Sequence, residues 1–399
     1  MDFRIILRLL KEAERQLEGF GFQENVEIEG RTFKIHTGYH PDRNIAISEV
    51  FEYGNFLFQA HEKFYVRKSD KKPLDESYLK NVTKKIHLDT IDEIVVLFQV
   101  NEKLKLIRQP IPHFRLGKVF YVRNFLDEAI DNFKRAIQLK PDFIKAHKLL
   151  GLAYLKQKNY QNALKVLESI LDIGNNFPDI LNILGVTYIH FGKYERAREV
   201  IHKALDLKPD FLHANFNMGL LLFLSALNDN QGEHGIVIPS RIIRFLKIIR
   251  NHDQYQSAAW TDIFDRTDEI LKTGDRKKII EMLTDLQLRL TVHDDFNVIM
   301  DFFFLKFMYG GKELSRSEMD YYERLILEEG KKDQDKYADY WNELGVIHLI
   351  QCRDYFLKAM SEFENAIKIN PTYTAAKNSL DITRHGKRGF LILLRAILK

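Results

Sequence analysis

The chain has 399 residues, 45% of them hydrophobic and 29% charged, which is ordinary globular composition. A formal net charge of +4, from 60 basic and 56 acidic residues, is too close to neutral to favour nucleic-acid binding by the whole chain. The one cysteine, Cys352, excludes an intrachain disulfide, and the apolar runs are far shorter than the ~20 residues of a membrane-spanning helix, so a cytoplasmic protein is expected.

Residues 1–77 predict a small α+β module. Residues 1–19 predict one helix, and they lack the features of a signal peptide because Arg4 and Arg8 interrupt the apolar run. Four segments then alternate with a period of 2, which predicts an antiparallel meander of three or four strands: NVEIE, RTFKIHT, NIAISEVFEY and FLFQAHEKFYV. Gly54-Asn55 predicts a tight turn between the last two strands. Residues 78–109 predict connecting helices.

Residues 110–226 repeat with a step of 34. Three groups of residues follow this step: the Leu-Gly pairs at 116–117, 150–151 and 184–185, the aromatic residues Phe120, Tyr154 and Tyr188, and the alanines Ala129, Ala163 and Ala197. Helical spacing places each Leu-Gly pair on one face of a first helix and each alanine on one face of a second helix. Glycine and alanine at the crossing allow the two backbones to approach closely.

This pattern resembles the tetratricopeptide repeat (TPR), a helix–turn–helix unit. The resemblance implies a mainly α fold, namely an α-solenoid with units at 110–143, 144–177 and 178–211 and the first helix of a fourth unit at 212–226. The preceding module has the general look of small β modules that precede such arrays in bacterial proteins.

The fourth unit is interrupted by a polar, Gly-containing insertion at 228–239. The next stretch, SRIIRFLKIIR (240–250), predicts a basic amphipathic helix. Its predicted apolar half consists of Ile242, Ile243, Leu246 and Ile249, and its basic half of Arg241, Arg244, Lys247 and Arg250. We expect it to supply the missing second helix, with its basic face in water. A surface for a membrane or a partner is the alternative.

The remaining chain predicts further helices. Residues 227–337 predict the insertion and degenerate helical pairs that continue the solenoid, and residues 338–373 predict a C-terminal TPR unit. The turn of that unit is expected to be enlarged, because Gly345 and Ala359 are two residues further apart than in the clean units. Residues 374–399 predict a capping helix and a basic, apolar tail with Lys387, Arg388, Arg395 and Lys399. This tail is expected to dock on the solenoid or, as the alternative, on a lipid surface.

The sequence contains no constellation of residues for catalysis. His36, His40 and His61 lack the cysteine or regularly spaced carboxylate that would complete a metal site. The GKEL stretch at 311–314 lacks the spacing of a phosphate-binding loop, and Cys352 is expected to be a bystander. We therefore expect a non-catalytic protein without a metal or a cofactor.

The TPR resemblance implies a binding role, because TPR solenoids bind extended peptides or helices in a concave groove lined mainly by first helices. Helical phase predicts these groove residues: Phe114, Lys118, Tyr121, Lys145, Lys148, Leu152, Lys156, Asn182, Val186, Ile189, His213, Phe216, Leu220 and Phe223. Lysines beside apolar residues suit an acidic peptide or helix with hydrophobic anchors. The expected function is a protein-interaction scaffold. The alternatives are a peripheral membrane adaptor that uses the basic tail and a module that senses a small molecule through the meander.

Overall fold

The computed structural model describes residues 21–40, 44–64, 76–172, 177–229, 237–252, 255–293, 298–311, 316–330 and 338–384. Three predictions concern parts of the chain outside these described residues. They are the N-terminal helix over 1–19, most of the insertion at 228–239, and the basic tail with Lys387, Arg388, Arg395 and Lys399.

The predicted meander is confirmed as a four-stranded antiparallel sheet in the order β1-β2-β3-β4. The strands are β1 (Gly21–Ile28), β2 (Arg31–His40), β3 (Ile45–Glu52) and β4 (Asn55–Lys63). Two-residue turns with positive φ close the first and last hairpins at Glu29-Gly30 and Tyr53-Gly54. The last turn therefore lies one residue earlier than the predicted Gly54-Asn55 turn.

One long helix, α1 (Glu76–Leu104), covers one face of this sheet. Alternate strand residues, among them Val26, Phe33 and Val50, are fully buried beneath it. The sequence predicted several connecting helices over 78–109, but the structure has one helix of 29 residues. It continues because residues 76–104 contain neither glycine nor proline and keep one apolar stripe from Leu79 to Leu104.

The predicted repeats are confirmed as three helical pairs followed by a fourth. The pairs are α2 (Pro110–Val122) with α3 (Leu126–Leu139), α4 (Ile144–Lys156) with α5 (Tyr160–Asp172), α6 (Pro178–His190) with α7 (Tyr194–Leu207), and α8 (Leu212–Asp229) with α9 (Ser240–Ile249). The predicted close approach at the glycines is present. A β-carbon built on Gly117, Gly151 or Gly185 would lie within 2.7, 2.6 or 2.3 Å of a side chain on the second helix of the same pair.

Helix α9 packs on α8, as expected for the second helix of the fourth unit. Its buried residues are Ile242, Phe245, Leu246 and Ile249, whereas Ile243 is 37% exposed. The prediction that Ile243 belongs to the apolar half was therefore wrong. The helix is rotated so that Phe245, one turn after Ile242, fills the interface.

In the described part of the remaining chain six further helices follow: α10 (Ala258–Lys272), α11 (Arg276–Val292), α12 (Ile299–Tyr309), α13 (Arg316–Gly330), α14 (Ala338–Ile369) and α15 (374–384). The predicted C-terminal TPR unit is replaced by α14, a single helix of 32 residues. In the clean units the turn between the two helices contains a residue with positive φ, namely Asn124, Lys158 or Gly192, whereas no described residue of α14 has one. Among the described helices, none has the length and hydropathy of a membrane span.

Candidate helix-binding groove

The concave side of the repeats is occupied by the chain itself. The first helices α2, α4, α6 and α8 face this side, and α11 packs along α4, α6 and α8 while α12 packs on α2 and α1. The degenerate helices were predicted to continue the solenoid. Instead, α11 and α12 fold back across the first helices and fill the groove.

The apolar contact between α11 and the groove is part of the main hydrophobic core. The inward stripe of α11 consists of Ile279, Leu283, Leu286 and Leu290, each no more than 5% exposed. Their spacing of 4, 3 and 4 residues places them on one face of the helix. Seven of the predicted groove residues are buried to 4% exposure or less in the same core: Tyr121, Leu152, Val186, Ile189, Phe216, Leu220 and Phe223.

A row of buried carboxamides crosses this interface. Asn217 Nδ2 donates to Asn182 Oδ1 at 2.8 Å, and Gln287 Nε2 of α11 donates to Asn217 Oδ1 at 2.9 Å. All three side chains are nearly inaccessible to solvent, so each amide that lost its partner would cost free energy. The row therefore fixes the register of α11 in the groove. The sequence predicted Asn182 as a groove residue but not Asn217, whose only signal is an amide within an apolar helix.

Three of the four predicted groove lysines contact other residues of the chain. Lys118 Nζ lies 2.6 Å from Asp301 Oδ2 of α12. Lys156 Nζ lies 4.7 Å from the centre of the Tyr121 ring. Lys148 pairs with Asp179 on the next first helix. In this state an external acidic ligand would have to compete with these internal contacts. Lys145, the fourth predicted lysine, is exposed.

Tyr121 holds the C-terminal end of α11, and Lys306 holds α12. Tyr121 Oη donates to the carbonyl oxygen of Val292, at the end of α11, at 2.8 Å. Lys306 on α12 is 8% exposed, and its Nζ lies 2.7 Å from Asp92 and 2.8 Å from Glu318. A buried ammonium group with two carboxylates is strongly held, because loss of either partner would leave a desolvated charge. These contacts join α12 to α1 and α13.

The outer predicted residues Phe114 and His213 lie at the two ends of the groove. Phe114 packs against Phe143, with ring centres 4.7 Å apart. The His213 ring lies 5.6 Å from the Phe245 ring, and its Nε2 lies 3.5 Å from Tyr255 Oη. Burial, with a smaller contribution from the nearby His252, lowers the pKa of His213 to about 4.

The low pKa of His213 predicts a loss of stability in mild acid. Below its ordinary pKa of about 6.5, the unfolded chain binds a proton at this histidine that the folded chain does not bind until about pH 4. The free energy of unfolding should therefore fall as pH falls through this window. Between pH 7 and pH 5, urea denaturation should show a loss about 2 kcal/mol larger for the wild type than for His213→Gln. Equal losses of stability in the wild type and in His213→Gln would show that His213 does not cause the acid sensitivity.

The four predicted basic residues of α9 differ in their surroundings. Arg250 pairs with Asp265 and Asp268 of α10 at 3.1 and 2.9 Å, so it is part of the fold. Arg241, Arg244 and Lys247 remain exposed. Within the described part of the chain, no group of three histidine, cysteine or carboxylate side chains is placed to hold a metal ion.

Comparison with known proteins identifies the repeats. Family models described as TPR repeat and tetratricopeptide repeat match residues 117–158 and 154–216. BBSome complex member BBS4 from Bos taurus is 34% identical over 73 residues, which are 18% of this chain and 14% of that protein. Tetratricopeptide repeat protein 13 from Homo sapiens is 50% identical over 46 residues, 12% of this chain and 5% of that protein. The chain thus spans a small part of each of these curated relatives.

Among solved structures, YrrB is similar over 48% of this chain and 91% of its own, with 17% identity and a TM-score of 0.30. YrrB is described as a TPR protein with an unusual peptide-binding site.

Proposed function

Because the chain is a tetratricopeptide repeat protein, we propose that it is an interaction scaffold whose concave groove binds an amphipathic helix. The observation that carries this proposal is the helix α11 seated along α4, α6 and α8. In this state α11 occupies the position that a partner helix would take.

The contacts of α11 define the chemistry of a partner helix. It presents an aliphatic stripe at Ile279, Leu283, Leu286 and Leu290 and a carboxamide at Gln287. Just beyond it, Asp301 of α12 meets Lys118 at 2.6 Å and Arg115 at 3.5 Å. A partner with aliphatic residues at the same spacing, one amide and a following acidic group would satisfy the same groups. This agrees with the hydrophobic, acidic partner that the sequence suggested.

The resident helix sets the conditions under which a partner binds. Because α11 is covalently attached at both ends, its effective concentration at the groove is on the order of millimolar or higher. An external helix therefore competes poorly until the contacts of α11 are weakened. The scaffold is thus expected to be closed to groove ligands by default.

The experiment uses a labelled peptide of residues 275–293 as the probe and fluorescence anisotropy as the measurement. Leu283→Ala with Leu286→Ala removes two buried side chains from α11, at a cost of about 2–5 kcal/mol each, and should release the helix from the groove. The peptide should then bind the double variant saturably and the wild type weakly. Circular dichroism of the double variant should show that it remains helical.

The specificity controls use the same groove. A peptide with both leucines replaced by aspartate should not bind, and Val186→Asp in the double variant should abolish binding of the native peptide. A folded double variant that fails to bind the native peptide would contradict the proposal. It would indicate that α11 is a permanent part of the core.

The alternative of small-molecule sensing by the sheet stays a hypothesis. The sheet face toward α1 is closed by the helix, and its central residues Phe33, Ile35 and Val50 have 0% exposure.

A further inference from the structure

The outward face of α9 carries cations without partners in the described part of the chain. Arg241, Arg244 and Lys247 are exposed, and none of them forms an ion pair with a described residue. Residues 237–252 contain no acidic side chain. This differs from the neighbouring second helix α7, where Arg196 pairs with Glu199 and Arg198 with Glu195.

Aliphatic side chains are exposed among these cations. Ile243 and Ile248 on α9 are 37% and 43% exposed, and Val237, just before the helix, is 83% exposed. Leu222 of α8 is 44% exposed. It lies near the start of α9, because Gly219, one turn earlier on α8, faces Arg241. Four exposed aliphatic side chains and three cations thus form one surface, which we call the α9 surface.

From this arrangement we infer that the α9 surface binds an anionic lipid membrane. The core face of α9 remains packed on α8, so the helix does not have to leave the fold to reach a bilayer. The aliphatic side chains would enter the boundary between headgroups and acyl chains while the three cations meet anionic headgroups.

The shape of the surface favours lipid over an acidic protein. The aliphatic side chains here project outward from α9, which packs chiefly on α8. A protein partner would need pockets to receive them, because protein hot spots are usually anchors that fill pockets on the partner. A bilayer accepts projecting aliphatic groups without a complementary pocket. The groove and α11 take no part, so this inference is independent of the proposed helix binding.

The experiment is co-sedimentation of the full chain with phosphatidylcholine vesicles, with and without phosphatidylserine. The wild type should sediment with the anionic vesicles and stay in solution with the neutral ones. Each cation at such a surface contributes about 1 kcal/mol, so replacing Arg241, Arg244 and Lys247 by glutamine should lower the partition coefficient about 100-fold. Ile243→Ser with Ile248→Ser should also weaken binding, because the insertion of aliphatic groups is lost.

The matched control replaces Arg196, Arg198 and Lys203 on α7 by glutamine, which removes the same charge from another second helix. This variant should keep most of the wild-type binding. All variants retain residues 385–399, so the basic tail contributes equally to each. The inference is overturned if the wild type ignores anionic vesicles or if the α7 variant loses as much binding as the α9 variant. It is also overturned if soluble polyglutamate binds as tightly as the vesicles and depends on the same three cations, which would assign the surface to an acidic protein.

Discussion

Replacing Gly185 by alanine is expected to destabilise the protein, whereas the same replacement at Gly345 is expected to stabilise it. A β-carbon on Gly185 would lie 2.3 Å from Cγ1 and 2.9 Å from Cδ1 of Ile201. Ile201 is fully buried and β-branched, so it cannot turn away without displacing its neighbours. Overpacking of this kind costs about 1–3 kcal/mol, which outweighs the gain of about 1 kcal/mol from replacing glycine inside a helix. A leucine at Gly185 should cost more.

Gly345 provides the matched control because it occupies the same place in the sequence pattern. It lies in α14, it is exposed, and a β-carbon there would meet nothing within 4 Å. Alanine should therefore stabilise the chain by about 0.5–1 kcal/mol through helix propensity alone. Urea denaturation of the two variants measures both effects. A change of the same sign at both positions would contradict the packing argument.

This pair of glycines shows where the repeat pattern was informative. In the three clean units, the crossing of the two helices is a contact between residues 16 positions apart, such as Gly185 and Ile201, and a 34-residue repeat specifies it directly. The prediction of close approach was therefore right. At 338–373 the Gly and Ala positions are present, but no described residue between them adopts the positive φ found at Asn124, Lys158 and Gly192 in the clean units, and one continuous helix formed.

The occupation of the groove could not be predicted from the sequence. The stripe Ile279, Leu283, Leu286 and Leu290 shows that α11 buries one face, but an amphipathic pattern does not identify the surface that covers it. The contacts that seat α11 and α12 join distant residues, as in Gln287 with Asn217 and Lys118 with Asp301. The predicted groove lysines lie on the first helices α2 and α4. Their partners lie on a segment that has no repeat signature.

The junction between the sheet and the first repeat was also invisible in the sequence. Arg31 follows a turn and has no local pattern to distinguish it, yet it joins Glu52 on β3 to Glu128 on α3, 97 residues away. Sequence separation of this kind leaves no periodic signal. The structure alone identifies Arg31 as one of the residues that tie the α+β module to the repeats.

Arg31→Leu is expected to destabilise the chain by about 3 kcal/mol. The Arg31 guanidinium donates from Nε to Glu52 at 2.6 Å and from Nη2 to the second Glu52 oxygen at 2.8 Å, and it also pairs with Glu128. Its Cζ lies 5.2 Å from the Phe33 ring centre and 5.3 Å from that of Phe98. Hydrogen bonding to Glu52 raises the pKa of Arg31, so the group is charged at all working pH values. Leucine fills part of the volume but leaves two carboxylates, only 12% and 14% exposed, without their cation.

The controls separate the lost charge from the lost packing. Arg31→Lys keeps the charge but not the two-pronged geometry, and it should recover only part of the loss. Adding Glu128→Gln to Arg31→Leu should also restore part of the lost stability, because one of the two unpaired carboxylates is removed. Arg196→Leu, which breaks an exposed pair with Glu199, should change the free energy of unfolding by no more than about 0.5 kcal/mol. Urea denaturation measures stability, and amide exchange in β1–β4 should accelerate in Arg31→Leu. Equal effects at Arg31 and Arg196 would contradict the assignment, because a surface ion pair and a partly buried one cannot cost the same when their carboxylates differ so much in access to water.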